Sequence, residues 1–164
     1  MNWKFFQVCC CLQLMLVGLH GIVSLFAIFY STHPFYFFLY SVAYILIMWL
    51  ALFGLQIFKK LYPDEPVDGK DKKTFNRLFI INFLLTAFLF GLFFSELRSI
   101  NAIRNSLGLP WSGLPFSFFI QLICYILMMI FHLLILYGLY KLRVTLYLNY
   151  RKKKFDFEGA NSIP

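Results

Sequence analysis

The sequence predicts an all-α integral membrane protein: a four-helix bundle with both termini cytoplasmic and no soluble domain. Three observations predict it. First, 61% of the 164 residues are hydrophobic and only 13% are charged, about half the charged share of a soluble domain. With a mean hydropathy of +0.74, so short a chain carries more apolar surface than a water-soluble globule can hide. It is also far too apolar for a disordered chain. Second, the charges are segregated. All 22 formal charges, 15 basic and 7 acidic, fall outside four stretches: residues 5–30, 35–58, 78–95 and 116–140. Each stretch is near or above the roughly 20 residues that a helix needs to cross the hydrocarbon. None alternates apolar with polar residues as a barrel strand would, so helices remain the spanning option in lipid. Third, 13 of the 15 basic residues would lie on one side of such a bundle.

The first stretch begins after a single Lys4 and is longer than a signal-peptide core, with no A-x-A-like site after it. A retained helix is expected. The connection Ser31-Thr32-His33-Pro34 is short enough to force an antiparallel hairpin, and Pro34 suits the first position of the second helix. The middle connection, residues 59–77, holds Pro63, Asp64, Glu65, Pro66, Asp68 and Gly69. These turn formers predict an exposed irregular loop, with Lys70–Arg77 as a basic lead into the third helix.

Beyond the third stretch, Leu97, Ile100, Ile103 and Leu107 recur at helical spacing, with Arg98, Asn101, Arg104 and Asn105 largely opposite. An amphipathic segment over 96–108 is expected to prolong the third helix or to lie on the membrane surface, ending at Gly108. Residues 109–115 predict a tight interfacial turn, with Trp111 at headgroup level. After the fourth stretch, residues 141–154 mix Lys and Arg with Leu, Val and Tyr. This predicts a helical extension along the inner leaflet, the basic tail (141–164) ending in a frayed terminus from Gly159.

Orientation follows from Lys and Arg in short loops. Lys4, the middle loop (Lys59, Lys60, Lys70, Lys72, Lys73, Arg77) and the tail (Lys141, Arg143, Arg151, Lys152, Lys153, Lys154) oppose only Arg98 and Arg104. The net charge of +8 therefore expresses topology. It suits attraction to anionic headgroups or a partner by Lys59, Lys60, Lys72, Lys73 and Arg151 to Lys154, not nucleic-acid binding. A bacterial inner membrane is the expected location.

Polar residues within the spans are functional candidates. Cys9, Gln13, His20 and Ser24 share one face of the first helix; Asn82, Thr86, Phe93 and Glu96 share one of the third; Ser117, Gln121, Cys124, Met128 and His132 share one of the fourth. Such faces belong toward the bundle interior. Counted from the cytoplasmic ends at 1.5 Å per residue, Gln13, Thr86 and His132 lie roughly 12 Å deep, His20 and Cys124 roughly 23 Å, and Ser24, Gln121 and Glu96 roughly 28 Å. Stacked polar layers are expected.

His20 and His132 are the candidates for a bis-histidine haem b. Their depths differ by roughly 10 Å, however, and two axial ligands of one iron should be level. No cofactor is expected, with haem b or a quinone as the alternative. The Cys and His residues lack zinc-site spacing, and no metal is expected either. Glu96, the acid nearest a span, stands with Arg98 and His33 at the outer end; a proton or cation relay competes with a simple interfacial acid, which is favoured. Cys9, Cys10 and Cys11 are expected to be packing residues, with palmitoylation as the alternative. Ala87, Gly91 and Ser95 form a small-residue groove that admits another helix, from this chain or a partner. No catalytic motif is present. The function expected is a non-catalytic accessory or interaction subunit, in contact with lipid and with other membrane subunits. A redox protein using His20 and His132, and a small transporter or channel using Glu96, are the alternatives.

Overall fold

The computed structural model describes residues 2–63, 65, 67 and 69–160, without the side chains of 154 and 156–160. The turn formers Asp64, Pro66 and Asp68, the Lys154 side chain and the terminal residues 161–164 lie outside it. Four helices make up the fold: α1 (Trp3–Tyr30), α2 (Pro34–Leu61), α3 (Gly69–Ser106) and α4 (Phe116–Ala160). A short 3-10 turn, Trp111–Gly113, precedes α4, and no strand occurs among the described residues. All four helices are long and apolar enough to cross a membrane. The chain is thus a polytopic membrane protein with four candidate spans.

Local chemistry sets the helix ends. Asn2 caps α1, its Oδ1 accepting from the Lys4 N–H at 3.0 Å. The chain then leaves α1 through Ser31 and re-enters at Pro34, which occupies the first turn of α2. Only residues 31–33 separate the helices, and α1 and α2 pack more extensively than any other pair. At the far end of α3, Gly108 adopts φ +64°. Its N–H donates to the Asn105 carbonyl and the Leu109 N–H to the Arg104 carbonyl, the paired bonds of a Schellman cap. The Arg104 guanidinium covers the exposed Trp111 ring at 4.6 Å, tying the turn to the helix it follows. A side chain at a left-handed position is disfavoured by about 1 kcal/mol or more. Gly108→Ala is expected to lower stability by that amount in detergent unfolding and to speed amide exchange around 104–109, leaving the bundle intact.

One expectation needs correction. The irregular middle loop is shorter than residues 59–77: α2 continues to Leu61 and α3 begins at Gly69. Charged residues outside the hydrocarbon carry on the helix in water, where a Lys60–Asp71 ion pair of 2.9 Å joins the two ends. The helical extension expected after the fourth stretch is present and continuous with the span. α4 runs unbroken for 45 residues, about 67 Å by helical rise, and Leu142 and Leu146 beyond the span are buried against the bundle. Asn149 Nδ2 donates to the Pro63 carbonyl at 2.7 Å, so this extension packs on its own protein.

Helices adjacent in sequence are adjacent in space, α4 closes onto α1, and α2 also touches α4 across the bundle. Contact between α1 and α3 is at most marginal. The cross-section is therefore a rhombus with α2 and α4 on its short diagonal. Accordingly α2 is the most enclosed span, 44% buried against 17% for α1 and α3. Gly54 makes the diagonal possible: a Cβ there would lie 3.0 Å from Leu139 Cδ2 and 3.2 Å from Phe6 Cζ. Around this contact lies the first apolar cluster, including Phe6, Leu50, Leu78, Ile135 and Leu139. A second, including Val17, Ile47, Leu89 and Met128, lies farther along the bundle.

Candidate functional site

Polar side chains occupy two levels of this core. Along α1 the order is Cys9 and Cys10 in the first cluster, then Gln13, then Val17 in the second. Along α3 it is Leu78, Asn82, Leu89, and along α4, read backwards, Ile135, His132, Met128. Gln13, Asn82 and His132 thus fall at the seam between the clusters, each fully buried. The layer expected at this depth comprises Gln13, Thr86 and His132; in the structure Asn82 rather than Thr86 is the hub, with Thr86 bonded to it from the next turn. The Asn82 carbonyl accepts from His132 Nε2 at 2.9 Å and from Thr86 Oγ1 at 3.2 Å. The Asn82 amide donates to the Leu78 carbonyl at 2.9 Å and reaches the Leu46 carbonyl of α2 at 3.4 Å.

This layer is only partly satisfied. Both polar atoms of the Gln13 side chain, Asn82 Oδ1 and His132 Nδ1 are buried without a hydrogen-bond partner. An unpartnered buried polar group costs about 1–3 kcal/mol. The three residues occupy three different helices, so the layer specifies helix rotation: turning α1 or α4 would expose an amide or imidazole to lipid.

The second level is aromatic and polar. The His20 ring lies 6.2 Å from that of Tyr44 and 5.4 Å from that of Tyr125, with His20 Nδ1 bonded to the Leu16 carbonyl at 2.9 Å. Gln121, Tyr40 and Glu96 lie near Tyr125 at the same level. Glu96 is half-buried, whereas Arg98 and His33 are exposed. The sequence pattern missed Tyr44 and Tyr125. The signal available was Tyr125 four residues from Gln121 and nearly level with His20.

His20 and His132 belong to different levels. Tyr125, the neighbour of His20, precedes His132 by seven residues, about 10 Å of rise, and His132 Nε2 is engaged by the Asn82 carbonyl. Cys124 is half-buried, Cys9 and Cys10 are buried, and only Cys11 of the triplet is exposed; all four thiols are unbridged. Among the described residues, no three His, Cys, Asp or Glu side chains gather as a metal site. Ala87, Gly91 and Ser95 all face outward, and a Cβ on Gly91 would meet nothing within 4 Å; no helix of this chain covers the groove. Lys59, Lys60, Lys72, Lys73, Arg151, Lys152 and Lys153 are exposed at the other end, with Lys60 engaged by Asp71.

No protein-family model, curated protein or solved structure matches this chain.

Proposed function

We propose that the protein is an accessory subunit of a larger membrane assembly, seated with both termini in the cytoplasm, and that it contributes contact surface rather than catalysis. The outward small-residue groove of α3 carries the proposal. Ala87, Gly91 and Ser95 are continued by exposed Ser99, four small residues at four-residue spacing, flanked by exposed Phe83, Phe90 and Phe94. In lipid, close backbone approach at small residues is a main source of helix association. Phe90 and Phe94 along one side, and Phe83 at the end of the stripe, add dispersion contacts to a helix lying in the groove. The basic end supports the orientation through the asymmetry of Lys and Arg.

The test is purification of the native chain in mild detergent with identification of its companions, repeated for Gly91→Leu. The wild-type chain is expected to retain a stoichiometric membrane partner. Gly91→Leu is expected to lose it several-fold without lowering monomer stability, because that face touches nothing within the chain. A lone monomer with no companion sinks the proposal. Proton or cation flux in vesicles that is lost in Glu96→Gln would move the function to transport through the Tyr125 cluster.

A further inference from the structure

At the basic end, α2, α3 and α4 enclose an open groove of about 570 Å³. It begins at Tyr140, the last residue of the uncharged run of α4, and continues to Tyr150, so it lies where hydrocarbon gives way to headgroups. Its wall is largely apolar, including Ile57, Phe75 and Leu146, and its charged lining among the described residues consists of Lys72 and Arg143. Arg143 is aimed by its neighbours. Nη1 donates to Asn76 Oδ1 at 2.7 Å, and the guanidinium sits 5.6 Å from the Phe75 ring centre. One of its five N–H donors is thus engaged, and the planar fork that remains suits a phosphate. Lys72, exposed, lines the same groove.

We propose that this groove binds an anionic phospholipid, its phosphate held by Arg143 and Lys72 and the start of its acyl chains lying along the apolar wall. Charge complementarity selects the headgroup, and position selects a lipid: a cationic pair beside an apolar wall, at the level of the bilayer surface, matches an amphiphile with its charge at one end. The inference rests on the membrane assignment and not on the accessory-subunit role, so either can fail alone.

The test is native mass spectrometry of the full chain in mild detergent, titrated with phosphatidylglycerol or with phosphatidylcholine of the same acyl chains. One phosphatidylglycerol is expected to be retained in preference to phosphatidylcholine. Each cation near a membrane surface contributes on the order of fivefold, so Lys72→Gln with Arg143→Gln is expected to weaken retention about thirtyfold. Lys72→Gln alone, at an exposed position where folding is not at risk, is expected to weaken it about fivefold. The pair Lys59→Gln and Lys73→Gln removes equal charge from the same end outside the groove and is expected to change little. Equal loss in both pairs, or equal retention of the two lipids, overturns the proposal in favour of diffuse attraction. Full displacement by micromolar glycerol phosphate overturns it in favour of a site for soluble phosphates.

Discussion

Gly54→Leu is expected to destabilise the bundle by about 3 kcal/mol or more, the largest effect of any single substitution considered. Overpacking a tight core ordinarily costs about 1–3 kcal/mol. Here the new side chain would enter where even a Cβ lies 3.0 Å from Leu139 and 3.2 Å from Phe6, both fully buried, so neither can swing out to make room. Gly54→Ala is the informative companion. Alanine gains about 1 kcal/mol of helix propensity over glycine, and its methyl needs the neighbours to give by only tenths of an ångström. The two contributions nearly cancel, and a net loss of under about 1 kcal/mol is expected. Thermal or denaturant unfolding in detergent measures both. Equal tolerance of Ala and Leu would show that the α2–α4 contact is not set by this glycine.

His132→Ala is expected to cost about 2–3 kcal/mol. Emptying a fully buried large side chain costs about 2–5 kcal/mol through lost contacts and the cavity left behind. Losing the bond to the Asn82 carbonyl adds about 0.6–2 kcal/mol, the range for interhelical bonds in membranes. Removing the unpartnered Nδ1 returns about 1–3 kcal/mol. Packing is therefore the decisive contribution, and His132→Phe, which fills the site with a slightly larger aromatic ring and has neither nitrogen, is expected to stay within about 1 kcal/mol of wild type. Should Phe cost as much as Ala, the imidazole nitrogens hold the layer together and the packing account is wrong.

The four spans were legible in the sequence because lipid excludes charge so strongly that its boundaries appear as charge-free runs. Helix ends were less legible for the same reason: charge marks where hydrocarbon stops, whereas backbone hydrogen bonding continues into water. The segment from Gly69 is accordingly helical although its turn formers and charges suggested a loop, whereas the extension past Tyr140 was legible from its mix of basic and apolar residues. Gly108 was an exception, because its left-handed conformation is a local demand that glycine meets and most residues do not. Within the core, Gln13, Asn82 and His132 were found by spacing, since a polar residue on an apolar helix is conspicuous. Tyr44 and Tyr125 escaped notice because a tyrosine ring reads as apolar while its hydroxyl acts as a polar group. Neither the exposure of the Ala87–Gly91–Ser95 groove nor the cleft around Arg143 could be read from one helix alone. Each depends on which neighbours the rhombic packing brings near, and the cleft combines residues from three helices.

The rhombic section also governs how energy is shared between sites. Helices α1 and α3 stand at opposite corners with at most marginal contact, so a change on one is communicated to the other only by way of α2 or α4. Effects of substitutions on outward positions of α1 and α3 should simply sum, as they do for distant sites without common partners. Pairs across the short diagonal, Gly54 with Leu139 above all, should compensate one another instead. Non-additivity in this protein thus belongs to positions that face a neighbouring helix, and the outward faces of the corner helices can vary independently of one another.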